Sequence, residues 1–245
     1  MIKAHKVALV TGATGGIGQS IAKRLAKEGF IVALHYSGNA DKASDLVEEI
    51  VTSGGMAMSI QADVTSAEAV KSMFEQVKQL KGNIDVVVHS AGIMPMARIE
   101  PDNVDDFIQV IDTNLIGTFL VLAHAGVMMS EEGRIIAFSS SVVAKNFPAY
   151  GPYIASKNGV EGLVRVMANE MAGRNITVNA IAPGPTGTEL FYKGKTEEQI
   201  EFFKRQSPLG RIGTPEDISD AVAMLAGEEG RWINGQIVRV NGGFA

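Results

Sequence analysis

The segment GPYIASKNG, residues 151–159, places Tyr153 and Lys157 four residues apart, on one face of any helix that forms there. A phenol with an ordinary pKa of about 10 exchanges protons poorly near neutrality. An ammonium about 4 Å away, at an effective dielectric near 20, favours the phenolate by about 4 kcal/mol, before desolvation takes part of that back. Such a pair makes a tyrosine usable as an acid and base. By itself, Tyr-x-x-x-Lys is more simply a half-buried aromatic beside a solvated lysine, so the pair needs company. Ser139, Ser140 and Ser141 close the apolar run IIAF, with Ser140 thirteen residues before Tyr153; on chemistry alone, serines at a strand end form turns. Asn114, in DTNLIGTF, interrupts a helical pattern. Asparagine there is a mediocre helix former that faces solvent or bonds back to the preceding turn.

Short apolar or β-branched runs recur at Val7–Val10, Ile31–Leu34, Ala57–Ile60, Ile84–Val88, Arg134–Phe138, Thr177–Ile181 and Ile237–Val240, most of them separated by helix-length segments of 3.6-residue periodicity. They are nearly continuous in hydrophobicity rather than alternating, which predicts parallel strands covered on both faces. With 245 residues, 46% of them hydrophobic, and no Pro/Gly/Ser-rich linker, the chain reads as one α/β domain over 1–245. The polar and aromatic stretch from Gly187 to Gly213 is the one long insertion, placed where a substrate lid would fit.

The net charge of −5 and the scattered basic residues give no electrostatic footprint for nucleic acid or an anionic membrane, which points to small-molecule ligands. The absence of cysteine excludes disulfide and thiol chemistry and fits a reducing cytoplasm. FLVLAHAGVMM (119–129) is too short for a membrane span, and the apolar stretch in MIKAHKVALVTG is too short for a secretory signal. No metal-ligand constellation is visible.

VALVTGATGGIG sets Gly12, Gly16 and Gly18 directly after the first strand and at the opening of a helix. Glycines there allow a tight turn and close approach of backbone to a pyrophosphate at a helix N-terminus. A carboxylate about 20 residues further on usually binds the adenosine ribose of NAD. Here the second strand runs into ALHYSGNADK, with no acid before Asp41. Ser37, Asn39 and Lys42 leave an open position for a 2′-phosphate, favouring NADP(H); Asp41, if differently placed, would serve NAD(H). Asp63, in QADVTS, is on chemistry alone equally a cap for the helix from Ala67.

With the preceding Thr11, this turn resembles the TGxxxGxG motif of the short-chain dehydrogenase/reductase family. The likeness continues through Tyr153, Lys157, Ser140, Asn114, NAIAPGPTGTEL and the terminal VNGGFA. It implies a doubly wound Rossmann-type fold with a seven-stranded parallel sheet, and a catalytic tetrad of Asn114, Ser140, Tyr153 and Lys157. In it Ser140 orients the substrate carbonyl, Asn114 holds a water linking the lysine to solvent, and Lys157 also binds the nicotinamide ribose. It further implies cofactor contacts from Gly12, Thr14, Gly16, Ile17 and Gly18, from Asp63 and Val64 around the adenine, from Ala91 and Gly92, and from Pro183, Gly184 and Thr188 at the nicotinamide.

Three departures stand out. Gly15 occupies a place where NADP-dependent relatives often carry a basic residue, and His89 and Ser90 replace the asparagines of Asn-Asn-Ala-Gly. His89 is read as a strand-end packing residue, not a base. GRII and NITVNAIAPG most resemble 3-oxoacyl-acyl-carrier-protein reductases, yet MMSEEGR puts Glu131 and Glu132 where carrier-using relatives have a basic run, leaving Arg174 as a contact for the acidic carrier. The resemblance thus implies reduction of a ketone, such as a 3-oxoacyl thioester, by a homotetramer. A sugar, steroid or small-alcohol dehydrogenase is the alternative, and a non-catalytic dinucleotide sensor the rival from another class.

Overall fold

The computed structural model describes residues 6–245. Residues 1–5, part of the segment read above for an export signal, lie outside it. Strands β1 (Val7–Thr11), β2 (Ile31–Tyr36), β3 (Met56–Gln61), β4 (Val86–His89), β5 (Arg134–Phe138), β6 (Thr177–Pro183) and β7 (Ile237–Val240) form one sheet in the order 3-2-1-4-5-6-7. Every neighbouring pair is parallel. β1, β4 and β5 are buried at every position, which is why they read as unbroken apolar runs.

The two-residue side-chain period sorts each strand between two cores. Val7 and Leu9 face one, with Phe74 of α3 (Ala67–Lys81), Val121 of α5 (Gly117–Met128) and Val160 of α6 (Gly151–Glu170). Ala8 and Val10 face the other, with Ile21 of α1 (Gly16–Lys27), Leu46 of α2 (Ala40–Thr52) and Val222 of α9 (Pro215–Ala226). The chain winds outward from β1 to β3, then returns to β4 on the other side of β1. The crevice at the carboxyl ends of β1 and β4 is therefore the switch point where ligands of open α/β sheets bind.

Helix starts follow local chemistry. Asn39 caps α2, Ser66 caps α3, and Thr214 with Asp217 forms a capping box ahead of α9. The cap on α3 is thus Ser66; Asp63 instead accepts from the backbone and hydroxyl of Thr65.

From Pro101 the chain is helical to Met128: a short 3₁₀ turn leads into α4 (Val104–Ile111), which runs through a π turn at Asp112–Ile116 into α5. This 28-residue helix is long and apolar enough to cross a bilayer by length and composition, which the eleven residues 119–129 alone did not suggest. In the fold it contributes core side chains beside α3 and α6, although Phe107, Ile108, Ile116, Phe119 and Val127 remain exposed.

The insertion at 187–213 begins and ends on a single bridge, Thr186 to Gly213, with Gly187 N–H donating to the Gly213 carbonyl at 2.8 Å. Between them lie α7 (Glu189–Tyr192) and α8 (Glu197–Gln206).

Asn179, buried in β6, donates to the Ile233 carbonyl at 2.7 Å and accepts from the Gln236 amide at 3.0 Å, tying the turn before β7 to the sheet. Asn179→Ala leaves both groups short of a partner and is expected to cost about 2–4 kcal/mol in urea unfolding.

Candidate active site

Gly12 has φ +66°, and a Cβ there would lie 2.8 Å from the Ala91 Cα. A Cβ on Gly18 would stand 2.2 Å from the Gly12 carbonyl oxygen. Only glycine allows this turn to fold against the end of β4. Its Gly12 N–H donates to His35 Nδ1 at 3.1 Å, and His35 Nε2 contacts the Ala62 carbonyl oxygen at 3.0 Å, so the neutral Nε2–H tautomer satisfies both contacts. His35 thus pins the turn to β2 and the end of β3, a role the sequence reading missed. Its signal was a histidine in the otherwise apolar ALHY.

The cavity over this turn, about 570 Å³, is lined by Gly12, Thr14, Gly16, Ile17 and Gly18, by Ser37, by Asp63 and Val64, and by Ala91, Gly92 and Thr188. These are the residues expected to hold the dinucleotide, and the space where side chains are missing fits an extended phosphate-bearing ligand against backbone. Asn39 is not among the lining residues: its Oδ1 accepts from Lys42 N at 2.9 Å, so helix capping uses it.

His89 bears out its reading as a packing residue. It is buried, with Nδ1 2.8 Å from Thr11 Oγ1 and Nε2 lacking a hydrogen-bond partner. Burial, reinforced by Lys157 and His35, pushes its pKa from 6.5 down to about 3. Ser90 donates to the Thr11 carbonyl at 2.6 Å, so the pair that replaces the two asparagines still ties β4 to β1.

A second cavity, about 200 Å³, shares Ile17, Gly92, Phe138 and Thr188 with the first and adds Ser140, Tyr153, Lys157, Pro183 and Gly184. Tyr153 and Lys157 stand on the opening turns of α6, and Lys157 Nζ lies 5.6 Å from the Tyr153 ring centroid. That ammonium donates to the Phe138 carbonyl at 2.8 Å, the end of β5. Burial lowers the Lys157 pKa to about 8.

Tyr153 departs from the expectation that its lysine would acidify it: burial pushes it up to about 12, against a smaller lowering by the Ser140 hydroxyl. The Lys157 ammonium, which donates to the Phe138 carbonyl, does not offset that desolvation. The phenol is therefore a protonated donor at neutral pH.

Asn114 sits in the π turn, fully buried rather than solvent-facing or bonded back along its helix. Its Oδ1 accepts from Ile93 N at 2.8 Å, while Nδ2 donates to the Ile93 carbonyl at 2.9 Å and to Ser156 Oγ at 3.2 Å. The amide clamps the loop after β4 to α6, which makes Asn114 a positioning residue in this geometry. Among the described residues no group of three His, Asp or Glu could hold a metal ion.

Residues 12–245 match the family described as enoyl-(acyl carrier protein) reductase. A 3-oxoacyl-[acyl-carrier-protein] reductase of Staphylococcus aureus is 42% identical over 248 residues, 99% of each chain. A chloroplastic NADPH-dependent aldehyde reductase-like protein of Arabidopsis thaliana is 38% identical over 255 residues, 98% of this chain and 94% of the relative. Among solved structures, an angucycline C-6 ketoreductase with bound NADP aligns with a TM-score of 0.90 at 34% identity, covering 98% of this chain and 95% of its own. Full-length likeness of that order settles the class: the chain belongs to the short-chain dehydrogenases/reductases. It is accordingly an oxidoreductase acting between CH–OH and C=O.

Both buried histidines have lowered pKa values, so below pH 6.5 the unfolded chain binds protons that the folded protein refuses. The stability they contribute is complete above pH 6.5 and is lost as pH falls toward the folded values. Between pH 6.5 and 5, above the ordinary carboxylate pKa values, His89 alone should remove about 1.5–2 kcal/mol. Urea titrations across that window should show a flatter slope in His89→Asn; an unchanged slope would show that His89 is not held neutral.

Proposed function

We propose that the chain is an NADP(H)-dependent ketone reductase in which Tyr153 gives its proton to the carbonyl oxygen as the ketone becomes a secondary alcohol. The observation that carries this reading is that Ser140, Tyr153 and Lys157 line one cavity, which shares Ile17, Gly92, Phe138 and Thr188 with the glycine-turn cavity. The nicotinamide cofactor, when bound, supplies the hydride. Ser140 Oγ orients the carbonyl, and the Lys157 ammonium compensates charge on the phenol oxygen as its proton leaves. Lys157 would also hold the cofactor ribose. Burial lowers its pKa to about 8, so turnover in the reducing direction is expected to fall as pH rises through that value.

NADP(H) over NAD(H) is supported by the end of β2. Ser37 lines the cavity there, whereas Asp41 lies in the first turn of α2 and does not line it. Lys42 Nζ is exposed, 3.4 Å from Glu189. The bound NADP of the angucycline ketoreductase fits the same preference. NAD(H) is the weaker substitute, and a cytoplasmic location is supported only by the absence of cysteine, which fits a reducing compartment.

A free ketone or short thioester should be reduced with an efficiency comparable to that of a carrier-bound chain. Arg174, the remaining candidate contact for an acidic carrier, donates to the carbonyls of Gly126 and Met129, and its own carbonyl accepts from Glu132 N at 3.0 Å. The guanidinium is thereby committed to the end of the 101–128 helix, beside Glu131 and Glu132.

A carbonyl panel followed by nicotinamide absorbance with NADPH and with NADH tests the reading. NADPH should be preferred, and Tyr153→Phe should bind cofactor as wild type does yet lose about 10²- to 10⁴-fold in turnover. Retained turnover would remove Tyr153 from the proton step. The exposed Phe107, Ile108, Phe119 and Val127, with Val166 on α6, support burial between subunits of a homotetramer. Light scattering at micromolar concentration should return four times the chain mass; a monomer would overturn the assembly.

A further inference from the structure

Beside the reacting cavity lies a larger one of about 800 Å³, walled by Met94, Met96, Phe147, Tyr150, Phe202 and Phe203. Met94, Tyr150, Phe203 and Lys195 line both, so the two adjoin across these side chains. The rings meet edge to face: Phe203 stands 6.2 Å from Phe147 at 87° and 5.6 Å from Phe202 at 76°. Such packing suits a flat aromatic guest, which can add further edge-to-face and offset contacts, and the two methionines adapt to its outline. An unbranched chain, one methylene wide, would leave most of such a chamber unfilled and forfeit those contacts.

The charge at the junction is cationic. Lys193 and Lys195 border the chamber, and neither forms an ion pair among the described residues. Lys195 Nζ rests 4.8 Å from the Phe191 ring centroid. The single acid of the wall, Glu198, lies in the first turn of α8, where the helix dipole favours it.

We propose that this chamber holds the body of the substrate, a ring-bearing apolar ketone with an acidic substituent, whose carbonyl reaches Tyr153 while its carboxylate pairs with Lys195. The assignment rests on the reading of the adjoining cavity as the site of ketone reduction.

The test compares cyclohexanone, 2-tetralone and 6-carboxy-2-tetralone with NADPH and the purified enzyme. From cyclohexanone to 2-tetralone kcat/KM should rise at least about tenfold, since each buried methylene-sized increment contributes roughly fourfold. The carboxylate should add about threefold to fivefold at low salt, as expected of a partly exposed ion pair. Lys195→Met should abolish the ratio between the two tetralones, and Lys195→Arg should restore it. Met96→Trp, which fills the chamber, should collapse the ratio of 2-tetralone to cyclohexanone. Turnover of cyclohexanone with no gain for the tetralones, or a linear 3-oxoacyl thioester outrunning them, would overturn the chamber assignment while leaving ketone reduction intact. A carboxylate without effect would overturn the pairing with Lys195. No turnover of any ketone would overturn both readings.

Discussion

Taking an ammonium out of water costs several kcal/mol unless a partner takes over its hydration, and the end of the molecule around Tyr153 is arranged around the way Lys157 meets that cost. Its partner is a backbone carbonyl, that of Phe138, the last residue of β5. The contact requires that carbonyl to be free of the ladder: pairing with β4 ends at His89 and Ala137, while Ser139 N still pairs with the Ile181 carbonyl of β6 before the chain breaks into a 3₁₀ turn at Ser141. It also requires α6 to be held at one height against the sheet. Asn114 does this through Ser156, one residue before the lysine, and through both backbone groups of Ile93. A regular α-helix gives asparagine no such reach, and the widened π turn from Asp112 to Ile116 is where the ladder is relaxed for it. Gly92 completes the fit, because a Cβ at that position would lie 3.0 Å from Asn114 Oδ1 and 3.6 Å from Lys157 Nζ.

The cofactor end is organised by neutral imidazoles instead of a charge. His35 and Thr11 hold the glycine turn and the end of β4 from opposite sides: one through Gly12 N–H, the other through His89, Ala91 and the Ser90 hydroxyl. An imidazole is a poor choice for such a place on hydrogen bonds alone, since the buried His89 Nε2 is left unpartnered. Burial, with the nearby Lys157 ammonium and His35, opposes its protonation.

The fold was legible because its strands are buried on both faces, so burial wrote itself into the sequence as unbroken apolar runs. Even there, the boundary at β4 shifted. Ile84 is buried, but Asp85 turns its carboxylate onto the Val7 amide at 2.7 Å and the strand begins at Val86. At the site, spacing revealed which residues share a face but not which atom each side chain addresses. Tyr153 and Lys157 lie where a four-residue spacing puts them, yet the lysine answers Phe138, nineteen residues away in sequence, and the phenol is raised rather than lowered. Asn39 and Arg174 illustrate the same limit: each was chemically suited to a ligand, and each is engaged by a helix end. His35 escaped notice because its partners, Gly12 and Ala62, come from two other strand ends, a relation visible only after the sheet has formed.

The insertion is closed on itself at a narrow base. It leaves the domain at Thr186 and returns at Gly213 through one bridge, with Gly213 N–H also donating to the Pro185 carbonyl at 2.9 Å. Its helices are locally closed as well, since the Thr196 and Gln199 capping box sets the start of α8 with no help from the sheet. Substitutions along α7 and α8 reach the larger chamber and, through Phe191 and Phe203, the Tyr153 cavity as well, whereas Ser140, Tyr153 and Lys157 belong to the end of β5 and to α6. The two parts meet at Phe203 and Tyr150, one from the insertion and one from the turn before α6, and both line the reacting cavity and the larger chamber. Burial raises the Tyr150 pKa, so the phenol at this junction, like that of Tyr153, stays neutral.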